Sequence, residues 1–240
     1  MRIIAGLHKG RTLSAPLGKT TRPTAERVRQ ALFDTLMHAP WGGRALFEGC
    51  HVLDAFAGTG ALGLEALSRG AQYASFFETN PLALSHLRAN IRSCRAESAC
   101  CVLAQDVTKP PLKLPRHVHT PASLIFLDPP YYSGLAPYAL CTLFSQGWIA
   151  PRAIAVLETA HDEILPFGVP SDSTCPTRRT KDTLKKRFSQ ENLPPPPTKP
   201  KKTEKQVKQT QQEKPFSLPL SLLTTRRHGA AYLSFWQFEA

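Results

Sequence analysis

The sequence predicts an α/β fold built on a mostly parallel sheet, and three observations carry that prediction. Short apolar runs alternate with helical stretches between residues 51 and about 165. Acidic residues, Asp54, Glu78, Asp106 and Asp128, close several of those runs. The last 20 or so residues return to strand character as two runs flanking His228-Gly229. Alternation of this kind puts parallel strands under helices on both faces, and a terminal pair joined by a tight turn adds an antiparallel hairpin.

The elements follow in order. "TAERVRQALFDTLM" reads as a helix, with Thr24 as its N-cap and Val28, Leu32, Phe33 and Leu36 at helical spacing. "HVLDAFAG" is a strand running into glycine, and "ALGLEALSRG" is a helix stopped by Gly70. "YASFFET" is a strand, and "PLALSHLRANIRS" is a helix with Pro81 in its first turn. "ACCVLAQD" and "SLIFLDPP" are strands, a helix spans about 135–146, and "AIAVLET" is another strand. Residues 171–219 break the pattern: Lys, Pro and Gln dominate, too little apolar surface is on offer to offset ordering entropy, and a disordered insertion is expected. The domain reading is therefore a basic arm and helix over 1–40, a core over 41–170, the insertion over 171–219, and the hairpin over 220–240.

The 240 residues carry a net charge of +12. Residues 1–30 hold a net +6 and residues 178–214 a net +8, so the rest is slightly acidic. Concentrated positive charge suits an anionic partner such as nucleic acid. Six cysteines form no C-x-x-C pair and no cluster with metal-ligand spacing, so neither a metal nor a disulfide framework is expected. No apolar run is long enough for a membrane span, and the N-terminus lacks a signal-peptide core, which points to a cytoplasmic protein.

"VLDAFAGTGALG" supplies Gly58-x-Gly60-x-x-Gly63 between a strand and a helix, with Glu78 about 20 residues on. Spacing alone fits a dinucleotide-binding turn. Asp54 argues otherwise, because a carboxylate beside the loop repels a pyrophosphate and suits an ammonium group. A ligand with an amino-acid end, a ribose and an adenine is S-adenosylmethionine. Glu78 is placed to accept its ribose hydroxyls and Asp106 its adenine amine, each at a strand end.

Asp128-Pro129-Pro130-Tyr131 closes a further strand. A nucleobase amine is a poor nucleophile because its lone pair is delocalised. A carboxylate and a carbonyl accepting its two N–H groups favour the pyramidal, reactive nitrogen. Pro129 has no N–H and a restricted backbone that can aim a carbonyl inward. Tyr131 offers a face for an extruded base.

Together, "MRIIAG", "RPTAERVRQALFDTL", "LDAFAGTGALGLEALSRGA", "LDPPY" and "RRHGAAYLSFW" resemble the RsmD-type family. Those are bacterial methyltransferases of a guanine N2 amine in small-subunit (16S) ribosomal RNA. The resemblance covers residues 1 to about 165 and the last 20 or so. It implies a Rossmann-like class I fold with a seven-stranded sheet. It implies S-adenosylmethionine held by Asp54, Phe56, Gly58, Gly60, Glu78 and Asp106, with Asp128, Pro129, Pro130 and Tyr131 catalytic. Arg22, Pro23, Thr24 and Arg27 match the family's N-terminal motif, which faces cofactor and RNA. The basic side chains Arg2, Lys9, Arg11, Arg22 and Arg27 are the candidate RNA contacts. The expected partner is small-subunit RNA or an assembling 30S subunit, met by a monomer. The insertion departs from the family pattern and is expected to add RNA affinity without chemistry. An adenine-N6 nucleic-acid methyltransferase shares the Asp-Pro-Pro-Tyr motif and is the alternative. A nicotinamide dehydrogenase and a non-catalytic RNA-binding protein each leave that motif, or the strand-end acids, without a role.

Overall fold

The computed structural model describes residues 1–16, 23–112, 114, 118, 120–163 and 218–239. Arg22 and nearly all of the insertion expected over 171–219 lie outside these.

The chain runs α1 (Pro23–His38), β1 (His51–Asp54), α2 (Ala61–Ser68), β2 (Tyr73–Phe77), α3 (Pro81–Ser93), β3 (Cys100–Leu103), β4 (Ala122–Leu127), α4 (Leu135–Ser145), β5 (Ile149–Ala160), β6 (Leu220–His228) and β7 (Ala231–Phe238). The strands form one seven-stranded sheet in the order β3-β2-β1-β4-β5-β7-β6. The first five pair in parallel, while β7 pairs antiparallel with β5 and with β6. This is the expected Rossmann-like sheet with its terminal hairpin. After β1 the chain builds outward through β2 and β3, then returns to place β4 on the other side. The switch point therefore lies between β1 and β4, where open α/β sheets bind ligands.

Strand periodicity divides the core between two faces. In β4, Leu124 and Phe126 belong to the cluster with Val52, Leu64 and Leu87, whereas Ile125 and Leu127 belong to the cluster with Leu140, Trp148 and Trp236. Both faces are thus buried, which explains why the parallel strands read as nearly continuous apolar runs.

Three expectations shift. α1 begins at Pro23, so Thr24 is its second residue and not the N-cap; proline is suited to the first helical position because it has no N–H to leave unpaired. β3 ends at Leu103, which puts Asp106 on the following loop. The hairpin turn is Gly229-Ala230, since His228 still pairs with Ala231, and Gly229 takes φ 62°.

The basic arm is a folded part of the core. Arg2 bridges Thr12, the Ile3 N–H donates to the Arg11 carbonyl at 2.9 Å, and Ile3 and Leu13 are buried. Its tip lies on the end of α2. There the Leu7 N–H reaches the Ser68 carbonyl at 2.7 Å, and the His8 N–H reaches Ser68 Oγ at 2.9 Å. Gly6 permits this approach, because a Cβ at that position would stand 1.7 Å from the Ser68 carbonyl oxygen. Among the described residues no helix is long and apolar enough to cross a membrane.

Candidate active site

The C-terminal ends of β1, β2 and β4 border a cleft of about 740 Å³. It is lined by Ala55, Phe56 and Gly58 after β1, by Phe77, Glu78 and Thr79 at the end of β2, and by Gln105, Asp106 and Val107 after β3. Asp128, Pro129, Pro130 and Tyr131 close its far side after β4, with Leu135 from α4. The predicted strand-end residues Glu78, Asp106, Asp128 and Tyr131 therefore do converge on one cavity.

Glu78 is fixed by backbone. Its Oε2 accepts the Gly58 N–H at 2.8 Å, and its Oε1 accepts the Thr79 and Asn80 N–H groups at 2.7 Å each. Asn80 caps α3 by accepting from Leu82 and Ala83, so the same turn that starts the helix holds the carboxylate. Asp106 forms a local turn, accepting the Thr108 N–H and hydroxyl on Oδ1, and no described residue donates to its Oδ2.

Asp54 and Gly60 occupy different places from the cleft lining. Asp54 is only 1% exposed and accepts the Gly63 N–H at 3.0 Å, which ties β1 to the first turn of α2. Burial, countered by that hydrogen bond, and the nearby charge of Glu78 push its pKa up to about 7. Gly63 lets α2 approach the sheet, since a Cβ there would meet the Phe76 ring at 2.3 Å, and Gly60 lets the loop approach α3, where a Cβ would meet Leu87 at 2.4 Å.

At the far side, Asp128 and Glu158 are neighbours. Leu127 and Leu157 pair across β4 and β5, so the next residue of each strand carries a carboxylate to the same sheet edge. Burial, then the charges of Glu158 and Asp54, raise the pKa of Asp128 above the usual carboxylate range, although its cleft side meets solvent. Burial raises Glu158 as well, opposed by the hydroxyl of Tyr131, which donates to Glu158 Oε1 at 2.9 Å. That bond fixes the Tyr131 ring, which is 43% exposed. The Pro130 carbonyl accepts the Ser133 N–H at 3.2 Å, while the Pro129 carbonyl accepts no backbone N–H among the described residues.

Sequence reading missed Glu158 and Gln105. Glu158 had a signal, since it follows the apolar run Ala153–Leu157 as Asp128 follows Leu124–Leu127. Gln105 had none: only the structure shows its Nε2 buried, beside the cleft and without a hydrogen-bond partner.

These donors and acceptors fit S-adenosylmethionine. Carboxylates suit a ribose diol, an exocyclic amine and a cationic ligand, and they disfavour the pyrophosphate of a dinucleotide. The orphaned Gln105 amide requires an acceptor, which ring nitrogens or sugar oxygens supply.

The candidate RNA contacts are dispersed and partly engaged. Arg2 pairs with Glu26 at 3.2 Å, and Arg11 donates to the Ser93 carbonyl. Lys9 and Arg27 are exposed.

A family model described as conserved hypothetical protein 95 matches residues 1–181. The ribosomal RNA small subunit methyltransferase D of Haemophilus influenzae is 33% identical over 190 residues, covering 79% of this chain and 93% of that protein. The Escherichia coli (strain K12) protein of the same name is 36% identical over 166 residues, 69% of this chain and 78% of its own. A solved Escherichia coli structure described as a methyltransferase superposes with a TM-score of 0.63 at 25% identity, covering 100% of this chain and 98% of that one.

Proposed function

The chain belongs to the conserved hypothetical protein 95 family, and from that premise we propose that it methylates small-subunit ribosomal RNA with S-adenosylmethionine, at the exocyclic N2 of a guanosine. The observation that carries this reading is the acid-lined cleft with Asp128-Pro129-Pro130-Tyr131 along one side.

When bound, S-adenosylmethionine supplies an activated methyl group on a sulfonium sulfur. Glu78 holds the ribose, Asp106 and Gln105 hold the adenine, and the backbone at Phe56 and Gly58 borders the remainder. Asp54 acts from behind the loop, fixing its shape through Gly63. Asp128 and the Pro129 carbonyl accept the two N–H groups of the target amine and keep its lone pair available. Asp128 in its ionised form takes the amine proton. Its raised pKa makes it a better base than an ordinary carboxylate, at the cost of needing a higher pH to ionise. Tyr131, steadied by Glu158, presents its ring to the extruded base. Arg27, exposed near the start of α1, meets phosphates, which position the RNA without reading it, whereas Lys9 lies at the far end of α2 from the cleft.

Transfer of a labelled methyl group from S-adenosylmethionine to undermethylated small-subunit RNA, as naked RNA and as subunit, tests the reading. Digestion to nucleosides should place the label in N2-methylguanosine. Label in N6-methyladenosine would replace this reading with the adenine one.

A further inference from the structure

Tyr132 is the aromatic residue at this edge for which methyl transfer supplies no role. It is 65% exposed, so its ring contributes little to the core. It also adopts φ 59°, a left-handed conformation that costs a bulky L-residue free energy. The reason is local: the Ser133 N–H closes a four-residue turn onto the Pro130 carbonyl at 3.2 Å, and Tyr132 is the third residue. Turns with positive φ at that position take glycine or asparagine.

The ring is nevertheless held in one orientation. The Tyr132 hydroxyl donates to Asp162 Oδ1 at 2.6 Å. Asp162 directly follows His161, whose N–H is fixed to the Ala230 carbonyl of the hairpin turn at 2.9 Å. The hydroxyl–carboxylate bond lies in open solvent, so it sets direction more than stability. A ring that is strained, exposed and aimed is arranged for contact with something outside the chain.

We propose that Tyr132 is a stacking platform for the nucleobase adjacent to the target nucleotide. The inference rests on the RNA reading above and extends it to a second base. Drawing the target out of a strand strips its neighbour of a stacking partner, and this unstacking is part of the cost of base extrusion. Consecutive rings at Tyr131 and Tyr132 serve consecutive bases: the first receives the target in the cleft, and the second replaces what the neighbour lost. The surrounding charge favours a base over a phosphate. The hydroxyl end of Tyr132 bonds Asp162 and feels the charge of Glu163, and Glu158 holds the adjacent ring. These acids repel a phosphodiester and leave the neutral π-face as the attractive surface.

The full-length protein, undermethylated small-subunit RNA and two variants decide the matter. Tyr132→Gly should raise the KM for RNA by about 5- to 150-fold, the range expected for one lost base–aromatic stack, with most of the change in KM and not in kcat. Tyr132→Phe keeps the face and should stay within about threefold of the wild type, losing only the aim set by Asp162. Thermal unfolding should show Tyr132→Gly as stable as the wild type or more so, because glycine takes this φ without strain. A glycine variant with wild-type KM would overturn the platform. So would a raised KM accompanied by an equal loss in the phenylalanine variant, or by a lowered Tm. If the wild type fails to methylate the RNA, it is the functional reading that falls. Binding of a short single-stranded oligoribonucleotide, followed by fluorescence anisotropy in wild type and glycine variant, then decides the platform separately.

Discussion

The N-terminal arm and the Pro130–Ser133 turn are both short irregular segments lying against the same sheet, and they are held by opposite means. The arm is fixed from inside. Glu65, fully buried in α2, accepts the Ile4 and Ala5 N–H groups at 2.7 and 3.0 Å and the Arg69 guanidinium at 2.8 Å. Asn90, also buried, accepts the Ser14 N–H and donates to the Ser14 and Thr59 carbonyls, joining the arm to the glycine loop. The turn is fixed from outside, by two exposed tyrosine hydroxyls on Glu158 and Asp162, with Tyr132 in a left-handed conformation. Buried carboxylate and amide groups hydrogen-bonded to the arm's backbone make a rigid frame, although Arg29 Nε and Arg69 Nη2 beside them have no partner. Strain, and acids with no lysine or arginine partner among the described residues, persist where a ligand will use them, with only His161 Nδ1 at 3.8 Å from Asp162. The contrast assigns stability to the arm's anchors and chemistry to the turn together with the strand end at Asp128 that leads into it.

The largest test of that division is Asp128→Ala. Methyl transfer should fall by about 10²- to 10⁴-fold, the usual contribution of a positioned acid–base group. Affinity for S-adenosylhomocysteine, measured by calorimetry, should be retained, and thermal stability should not drop. Near-normal turnover would break the assignment of chemistry to the turn.

Glu65→Ala probes the other side. It leaves Arg69 and two backbone donors without their acceptor, so unfolding free energy should fall by about 3–5 kcal/mol, read by denaturant melts. Limited proteolysis should then cut within residues 1–16 before the core. An unchanged melt would show that the arm is not held through this carboxylate.

The smallest effect concerns pH. Asp128 and Glu158 both have raised pKa values, so their ionisation opposes folding. The stability linked to them is full below the ordinary carboxylate range and is lost as pH rises through the raised values. Glu158→Gln removes one negative charge beside Asp128, which then ionises at lower pH. The acid limb of the kcat/KM profile should move down in pH, and stability should decline less as pH increases. A limb that stays in place would separate Asp128 from Glu158 and leave Glu158 only the task of holding Tyr131.

Much of the site was legible because chemistry concentrates where local patterns end. Asp128 and Glu78 each follow an apolar run, Tyr131 comes three residues after Asp128, and a parallel sheet carries such ends to one edge. Asp54 follows the same pattern, yet its carboxylate turned inward to Gly63, which no spacing reveals. Glu65 is a lone acid in the otherwise apolar run "ALGLEALS", a visible anomaly whose partners sit 60 residues away.

By itself the sequence determined the order of strands and helices, the glycine loop, the Asp-Pro-Pro-Tyr strand end and the closing hairpin. All of these rest on periodicity and backbone chemistry within a few residues. Packing across the sheet makes the basic arm part of the core, turns Asp54 toward α2, sets Glu158 beside Asp128 and leaves Tyr132 exposed. Those depend on register between strands and on contacts across 9 to 76 positions of chain, as in Asp54–Gly63 and Ser14–Asn90. Burial and electrostatic repulsion act through space, and the pairs they couple become neighbours only when the sheet has formed.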